Sequence, residues 1–214
     1  MATYYSPKII TDSLQLCLDG SNSKSYISGS GTWYDISGRN NHATFTGVPT
    51  LLNGKVQLTD GSVYGTFPQI NLASTAFTVL AWIYKNNTND FSIIGGGVGG
   101  QNANSHYIIR SSKVYFGDYG CDMQGATTIN ANTWYHVAYL MDTSQKQSVF
   151  VNGVLDGGPS TTCGYYTSYI TTVGISCCGG NGSGIIDHLL VYNRALSYSE
   201  IAATYNATKG RYGL

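Results

Sequence analysis

The sequence predicts an all-β domain, a sandwich or barrel of short antiparallel strands closed by one short helix. Three observations carry that expectation. Apolar and polar residues alternate in short runs bounded by glycine and asparagine clusters, with no helical period longer than about ten residues until the closing segment. QSVFVNGVLDG (147–157) sets Asn152-Gly153 between two β-branched runs, the pair favoured where both central residues of a hairpin turn need positive φ. LSYSEIAATYN (196–206) sets Ser197 three residues before Glu200, a capping box that starts a helix.

Taken in order, Leu14, Leu16 and Leu18 alternate with polar partners in a first strand. FTVLAWIY (77–84) is apolar on both faces, as a central strand covered by a second layer requires. Further strands are expected at 91–95, 105–110, 113–117, 134–141, 147–151, 170–176 and 185–192. GGGVGGQNANS (95–105) reads as a mobile loop rather than a linker, because the strands on either side continue one pattern. In the helix, Ile201 and Tyr205 share a face at i, i+4. At 214 residues, one domain spanning 1–214 is the default.

Charged residues make up only 10% of the chain, while Gly (27) and Tyr (18) are abundant. Uncharged polar and aromatic side chains must therefore form much of the surface. The 11 Lys+Arg balance 11 Asp+Glu and are scattered, so no footprint for a phosphate backbone appears and nucleic acid is excluded as a partner. MATYYSPKIITDSLQLCLDG lacks the basic and apolar regions of a Sec signal, and no stretch approaches the roughly 18 apolar residues of a membrane span. Cys17, Cys121, Cys163, Cys177 and Cys178 form an odd set without C-x-x-C spacing, which argues against zinc or a full disulfide framework. Free thiols are expected, with one bridge from Cys163 to Cys177 or Cys178 as the alternative. Three N-x-S/T triplets, at Asn86, Asn181 and Asn206, read as chance matches without a signal segment.

Catalysis is disfavoured. Glycan hydrolysis needs two carboxylates on facing positions, yet Glu200 is the sole glutamate and already belongs to a helix cap. Of the aspartates, only Asp118 and Asp122 lie close together in sequence. There is no G-x-S-x-G elbow and no H-E-x-x-H, and His42, His106, His136 and His188 stand alone. What remains suits a binding surface, with rings to stack on sugar faces and Asn, Asp and Gly to bond hydroxyls. The candidates for carbohydrate contact are Tyr107, Tyr115, Asp118, Tyr119, Tyr165 and Tyr166. Each tyrosine is equally at home as an ordinary strand residue.

LQLCLDG (14–20), SYISGSGTWYDISGRNNHAT (25–44), FTVLAWIY (77–84), TWYHVAYLMD (133–142) with VFVNGVL (149–155), and GIIDHLLVYNRALSYSEIAATYN (184–206) follow one another along nearly the whole chain. Their order resembles the laminin-G-like branch of the concanavalin A-like lectin/glucanase superfamily. Its specific part is W-x-H-V-A with V-x-V-N-G, followed by I-D-x-x-x-x-Y-N-R-A-L-S. The closing YNATKGRYGL is similar to the ends of such domains in viral and marine phage proteins. The resemblance implies a two-sheet antiparallel jelly-roll β-sandwich that binds glycans and often carries calcium at its rim. Glucanase members use a Glu-x-Asp-x-Glu motif that one glutamate cannot supply, so the non-catalytic branch is favoured.

TWYDISGRNNHA (32–43) concentrates polar and aromatic groups. Asp35-Ile36-Ser37-Gly38 reads as an Asx-type turn in which the carboxylate takes backbone N–H groups, and Trp33 as an anchor in the core. The alternative follows from the antiparallel pairing of first and last strands that the resemblance implies. Asp19 then lies beside Asp187, and Asp35, with Asn40 or Asn41, completes an oxygen cage for calcium. Two function classes follow. One is a non-catalytic, lectin-like module recognising cell-surface glycans. The other is a structural or assembly protein of a virion surface, packing against copies of itself or other virion proteins. Either places the chain on a virion surface or outside the cell without a Sec signal.

Overall fold

The computed structural model describes residues 9–52, 54–58, 62–73, 75–96, 105–118, 122–160, 169–176 and 182–214. They form sixteen strands, one helix and a closing 3-10 turn. The first six strands are β1 (Leu14–Leu18), β2 (Thr32–Trp33), β3 (Ala43–Thr46), β4 (Thr50–Leu52), β5 (Lys55–Leu58) and β6 (Tyr64–Asn71). Next come β7 (Phe77–Lys85), β8 (Phe91–Gly95), β9 (Ser105–Arg110), β10 (Lys113–Asp118) and β11 (Met123–Gln124). The last are β12 (Trp134–Met141), β13 (Gln147–Val151), β14 (Val154–Ser160), β15 (Tyr169–Val173) and β16 (Gly184–Tyr192), before α1 (Tyr198–Thr208).

Two antiparallel sheets face one another as a jelly-roll sandwich. The first has the order β14-β13-β12-β7-β16-β5-β4, with β1 also on β16; the second runs β11-β10-β9-β8-β15-β6-β3-β2. The expected pairing of the first strand with the last is present, with Leu14 opposite Tyr192 and Leu18 opposite Leu189. Period-two alternation builds the core between the sheets. From β7, Val79, Ala81 and Ile83 point inward to meet Ile93, Ile109 and Val114 of the second sheet. Strand β7 is buried on its other face as well, as its doubly apolar sequence required.

That other face lies under α1. Leu80, Ala138, Phe150, Leu190 and Tyr192 join Ile201 of the helix in a second, smaller core. The capping box forms as predicted: the Ser197 hydroxyl accepts from the Glu200 N–H, and Glu200 accepts from the Ser197 N–H. Burial of Ile201, which is fully enclosed, contributes roughly 2 kcal/mol. The Asn152-Gly153 hairpin is also as expected, with φ of 50° and 77° and Val151 paired to Val154. Glycine is required there twice over, since a Cβ would meet Tyr205 Cβ at 3.1 Å and Ala202 Cα at 3.2 Å. The hairpin thus doubles as a seat for α1.

The sequence pattern missed the two-residue strands β2 and β11 and the whole run from β3 to β6. Gly47, Pro49, Gly54 and Pro68 punctuate this stretch and read as turns, yet Pro68 sits inside β6. Strand β15 stops at Val173, short of residue 176. Cys17 is a buried free thiol, pushed up to about 12 chiefly by burial and therefore unreactive. The other four cysteines, the Cys163 bridge and most of the 95–105 loop lie outside the described residues. Among the described residues, no helix is long and apolar enough to cross a membrane.

Candidate functional site

Strand parity on the first sheet sends Trp82 and Tyr84 of β7 outward, and the ladder sets Tyr84 between Trp134 of β12 and Ile185 of β16. A row of side chains therefore crosses three strands on the helix-covered face, at the end that α1 leaves open. The Tyr84 and Trp134 rings lie 5.4 Å apart. The 3-10 turn Lys209–Tyr212 then lays Tyr212 across the row, stacked on Trp82 at 4.0 Å and tilted against Trp134 at 4.7 Å. Leu52, Lys55 and Arg211 complete the wall of a cleft of about 230 Å³. None of its seven lining residues is acidic.

The rings are held from behind. The Trp82 indole N–H donates to Thr208 Oγ1 at 2.8 Å, and the Tyr212 hydroxyl donates to Asp187 Oδ2 at 2.9 Å. Burial and the Asp187 charge push the Tyr212 hydroxyl well above the ordinary tyrosine range, so it remains a donor. Arg211 bonds Asp19 through both terminal nitrogens, at 2.6 and 3.2 Å. A bidentate guanidinium–carboxylate pair fixes orientation as well as charge, so the tip of the wall has one geometry. Lys55 Nζ sits 5.2 Å from the Tyr212 ring centre and 5.9 Å from that of Trp134.

The expected calcium cage does not assemble. Asp35 is enclosed and already accepts four bonds: from the N–H of Cys17 and of Ser37 at 2.9 Å each, the Asn41 N–H at 3.0 Å and the Ser37 hydroxyl at 2.8 Å. These are the contacts of an Asx turn, and they tie the 32–43 loop to β1. Asp19 is spent on Arg211, and Asp187 accepts from Ser21 and Tyr212. Backbone and hydroxyl donors and the Arg211 guanidinium thus occupy most of these carboxylate oxygens, and among the described residues no group of three or more His, Cys, Asp and Glu could hold a metal. Trp33 is fully buried against Phe45 at 5.9 Å.

The carbohydrate candidates scatter. Tyr107 is fully buried between the sheets, packed on Phe77, Phe116 and Tyr139, so it is a core residue and offers no ring to a ligand. Tyr115 is half-buried on the outer face of the second sheet, flanked by the Arg110 guanidinium at 4.6 Å and the His106 ring at 5.8 Å, with its hydroxyl on Asp122. Asp118 ends β10. Tyr119, Tyr165 and Tyr166 lie outside the described residues. Sequence reading missed Lys55, Tyr84, Trp134, Arg211 and Tyr212. A usable signal was present for two of them, since Tyr84 and Trp134 are aromatics at the ends of correctly identified strands.

Glu200 is unsuited to proton transfer. Hydrogen bonds from Arg194, and then from Ser197, hold its carboxyl at about 2, against the cost of its partial burial.

The two antiparallel sheets define the class by fold, a jelly-roll sandwich. The chain belongs to the concanavalin A-like lectin/glucanase superfamily, whose laminin G type 3 model matches residues 59–202. No curated protein matches it by sequence. Among solved structures it is similar to the binding domain of paraclostridial mosquitocidal protein 1, with a TM-score of 0.71 at 16% identity. It is also similar to the binding domain of botulinum neurotoxin DC in complex with rat synaptotagmin II, at 0.66 and 18%. A third match, from botulinum neurotoxin type C, stands at 0.63 and 17%. Each alignment covers 92% of this chain and 52% of the other, so the chain spans about half the length of these structures. At such identities the likeness carries the fold alone.

Proposed function

We propose that this chain is a non-catalytic carbohydrate-binding module and that the glycan docks in the cleft between Tyr84, Trp134 and Tyr212. One observation carries the reading: three aromatic rings from β7, β12 and the closing turn converge on a recess rimmed by Lys55 and Arg211. Rings supply apolar faces for the C–H side of a sugar, while polar groups at the rim bond its hydroxyls. No carboxylate lines the cleft, so the acid/base pair of a glycosidase is not at hand there. The similar toxin structures are binding domains, and botulinum neurotoxin type C is described as dependent on two ganglioside molecules for getting into cells. They lend support by analogy of fold. A virion assembly module would instead need a flat apolar patch, whereas these rings line a recess.

Tryptophan emission tests the reading directly. Trp33 and Trp82 are fully buried, which leaves Trp134 as the residue whose environment a bound sugar changes. Titration with a glycan panel is expected to shift the emission of the parent for at least one glycan and to leave Trp134→Phe unresponsive. A panel that binds nowhere, or binds equally to Trp134→Ala, would remove the cleft from consideration.

A further inference from the structure

Resting on that reading, we infer that the sugar the cleft prefers carries an anionic group, a carboxylate or sulfate, received by the Lys55 ammonium. Charge around the recess is one-sided. The chain has only 11 Lys+Arg in 214 residues, yet two of the seven residues lining this cleft are cations and none is an anion. The two cations are not equivalent. Arg211 is committed, with Asp19 taking a bond from each terminal nitrogen, so its charge is largely matched and its task is to hold the wall.

The Lys55 ammonium forms no ion pair or hydrogen bond to any described residue, and its surroundings are the π faces of Tyr212 and Trp134. A cation that keeps access to water over rings is weakly held, and Lys55 itself is only half-buried. A carboxylate or sulfate at the same ammonium makes a charge-assisted hydrogen bond and outcompetes the rings. When Lys55 turns to such a group it uncovers the ring faces that a sugar stacks on, so one movement serves both contacts. A neutral sugar would have to displace the ammonium from the rings without offering it a counter-charge. The position therefore discriminates against neutral ligands as well as favouring anionic ones.

The experiment uses matched saccharides that differ by one anionic group: galactose with galacturonate, glucose with glucuronate, lactose with sialyllactose, and galactose with its 6-sulfate. Trp134 emission reports binding. Where a pair binds, the anionic member should bind about tenfold more tightly, the size of one charge-assisted contact at a half-exposed site, and the margin should shrink in high salt. Lys55→Ala and Lys55→Gln should bring the ratio close to one, while Lys146→Ala, at the opposite end of β12, keeps it. Which anion gives the larger ratio separates carboxylate from sulfate. Equal affinity within every pair that binds the parent overturns the inference and leaves the cleft as a neutral-sugar site. If no saccharide alters Trp134 emission, the cleft reading itself falls, and this inference with it.

Discussion

The 32–43 loop and the aromatic cleft are opposites in how they treat polar groups. The loop is dense in hydrogen-bonding residues within a dozen positions, and Asp35 at its centre is saturated by four donors from the loop and from β1. The cleft draws on residues from 52 to 212, and its Lys55 is left without a carboxylate partner among the described residues. On the face that leads to it, Asp187 Oδ1, His136 Nδ1 and both ring nitrogens of His188 are buried without a hydrogen-bond partner among the described residues. Local concentration of polar residues here means self-satisfaction and structure. Capacity for a ligand arises where distant residues are brought together without using each other up.

The loop should respond most strongly to substitution. Asp35→Ala strips the acceptor from three backbone N–H groups and one hydroxyl, and buried donors left unmet should cost about 3 kcal/mol. Urea unfolding should record that loss while glycan affinity in the refolded variant stays within twofold of the parent; a stable variant with ruined binding would reverse the assignment of the two regions.

Acid should act through the covered face. Burial, followed by the His188 charge, depresses His136 to about 3, and burial likewise lowers His188. In the unfolded chain both titrate near 6.5, so the unfolded state takes up protons first. The stability from neutral His136 is complete above that value and drains as pH falls from about 6.5 towards 3. At pH 5 the loss is roughly 2 kcal/mol for a histidine still neutral when folded. Thermal midpoints of the parent at pH 7 and pH 5 should separate, and His136→Phe should narrow the gap.

Trp134→Ala sharpens the contrast from the cleft side. The half-buried ring should cost about 1 kcal/mol of stability, by partial loss of its apolar burial, and at least about 1.4 kcal/mol of glycan binding, a tenfold loss by calorimetry. The smallest effect is expected from calcium. With Asp19 on Arg211 and Asp35 saturated, midpoints in calcium and in EDTA should coincide within error. A rise with calcium would mean that the ion displaces Arg211 from Asp19.

Much of the scaffold was legible because its signals are local. Asn152-Gly153 and Ser197 with Glu200 each specify their structure within four residues, and FTVLAWIY states its double burial outright. The strands between 43 and 71 were not, because Gly47, Gly54 and Pro68 look like interruptions and the exposed face of each strand carries Thr and Gln. The site was the least legible part. Tyr107 was a sound candidate by residue type and failed by parity, since its register opposite Phe116 turns it inward. Lys55, Trp134 and Arg211 become neighbours only once β5, β16, β7 and β12 stand in that order, which no short window of sequence contains.

The pairing of β1 with β16 also governs when this molecule can exist as such during folding. Leu14 and Tyr192 are partners across most of the chain, and closing so long a loop is entropically slow compared with forming a hairpin. Strand β1 must wait for β16, and the turn bearing Arg211 and Tyr212 docks only onto a sheet in which β16 is already seated. The β12–β13–β14 meander needs no such delay. The cleft is thus expected to be among the last parts of the structure to form, after β1 and β16 have added Leu16, Leu18, Ile186 and Leu189 to the core.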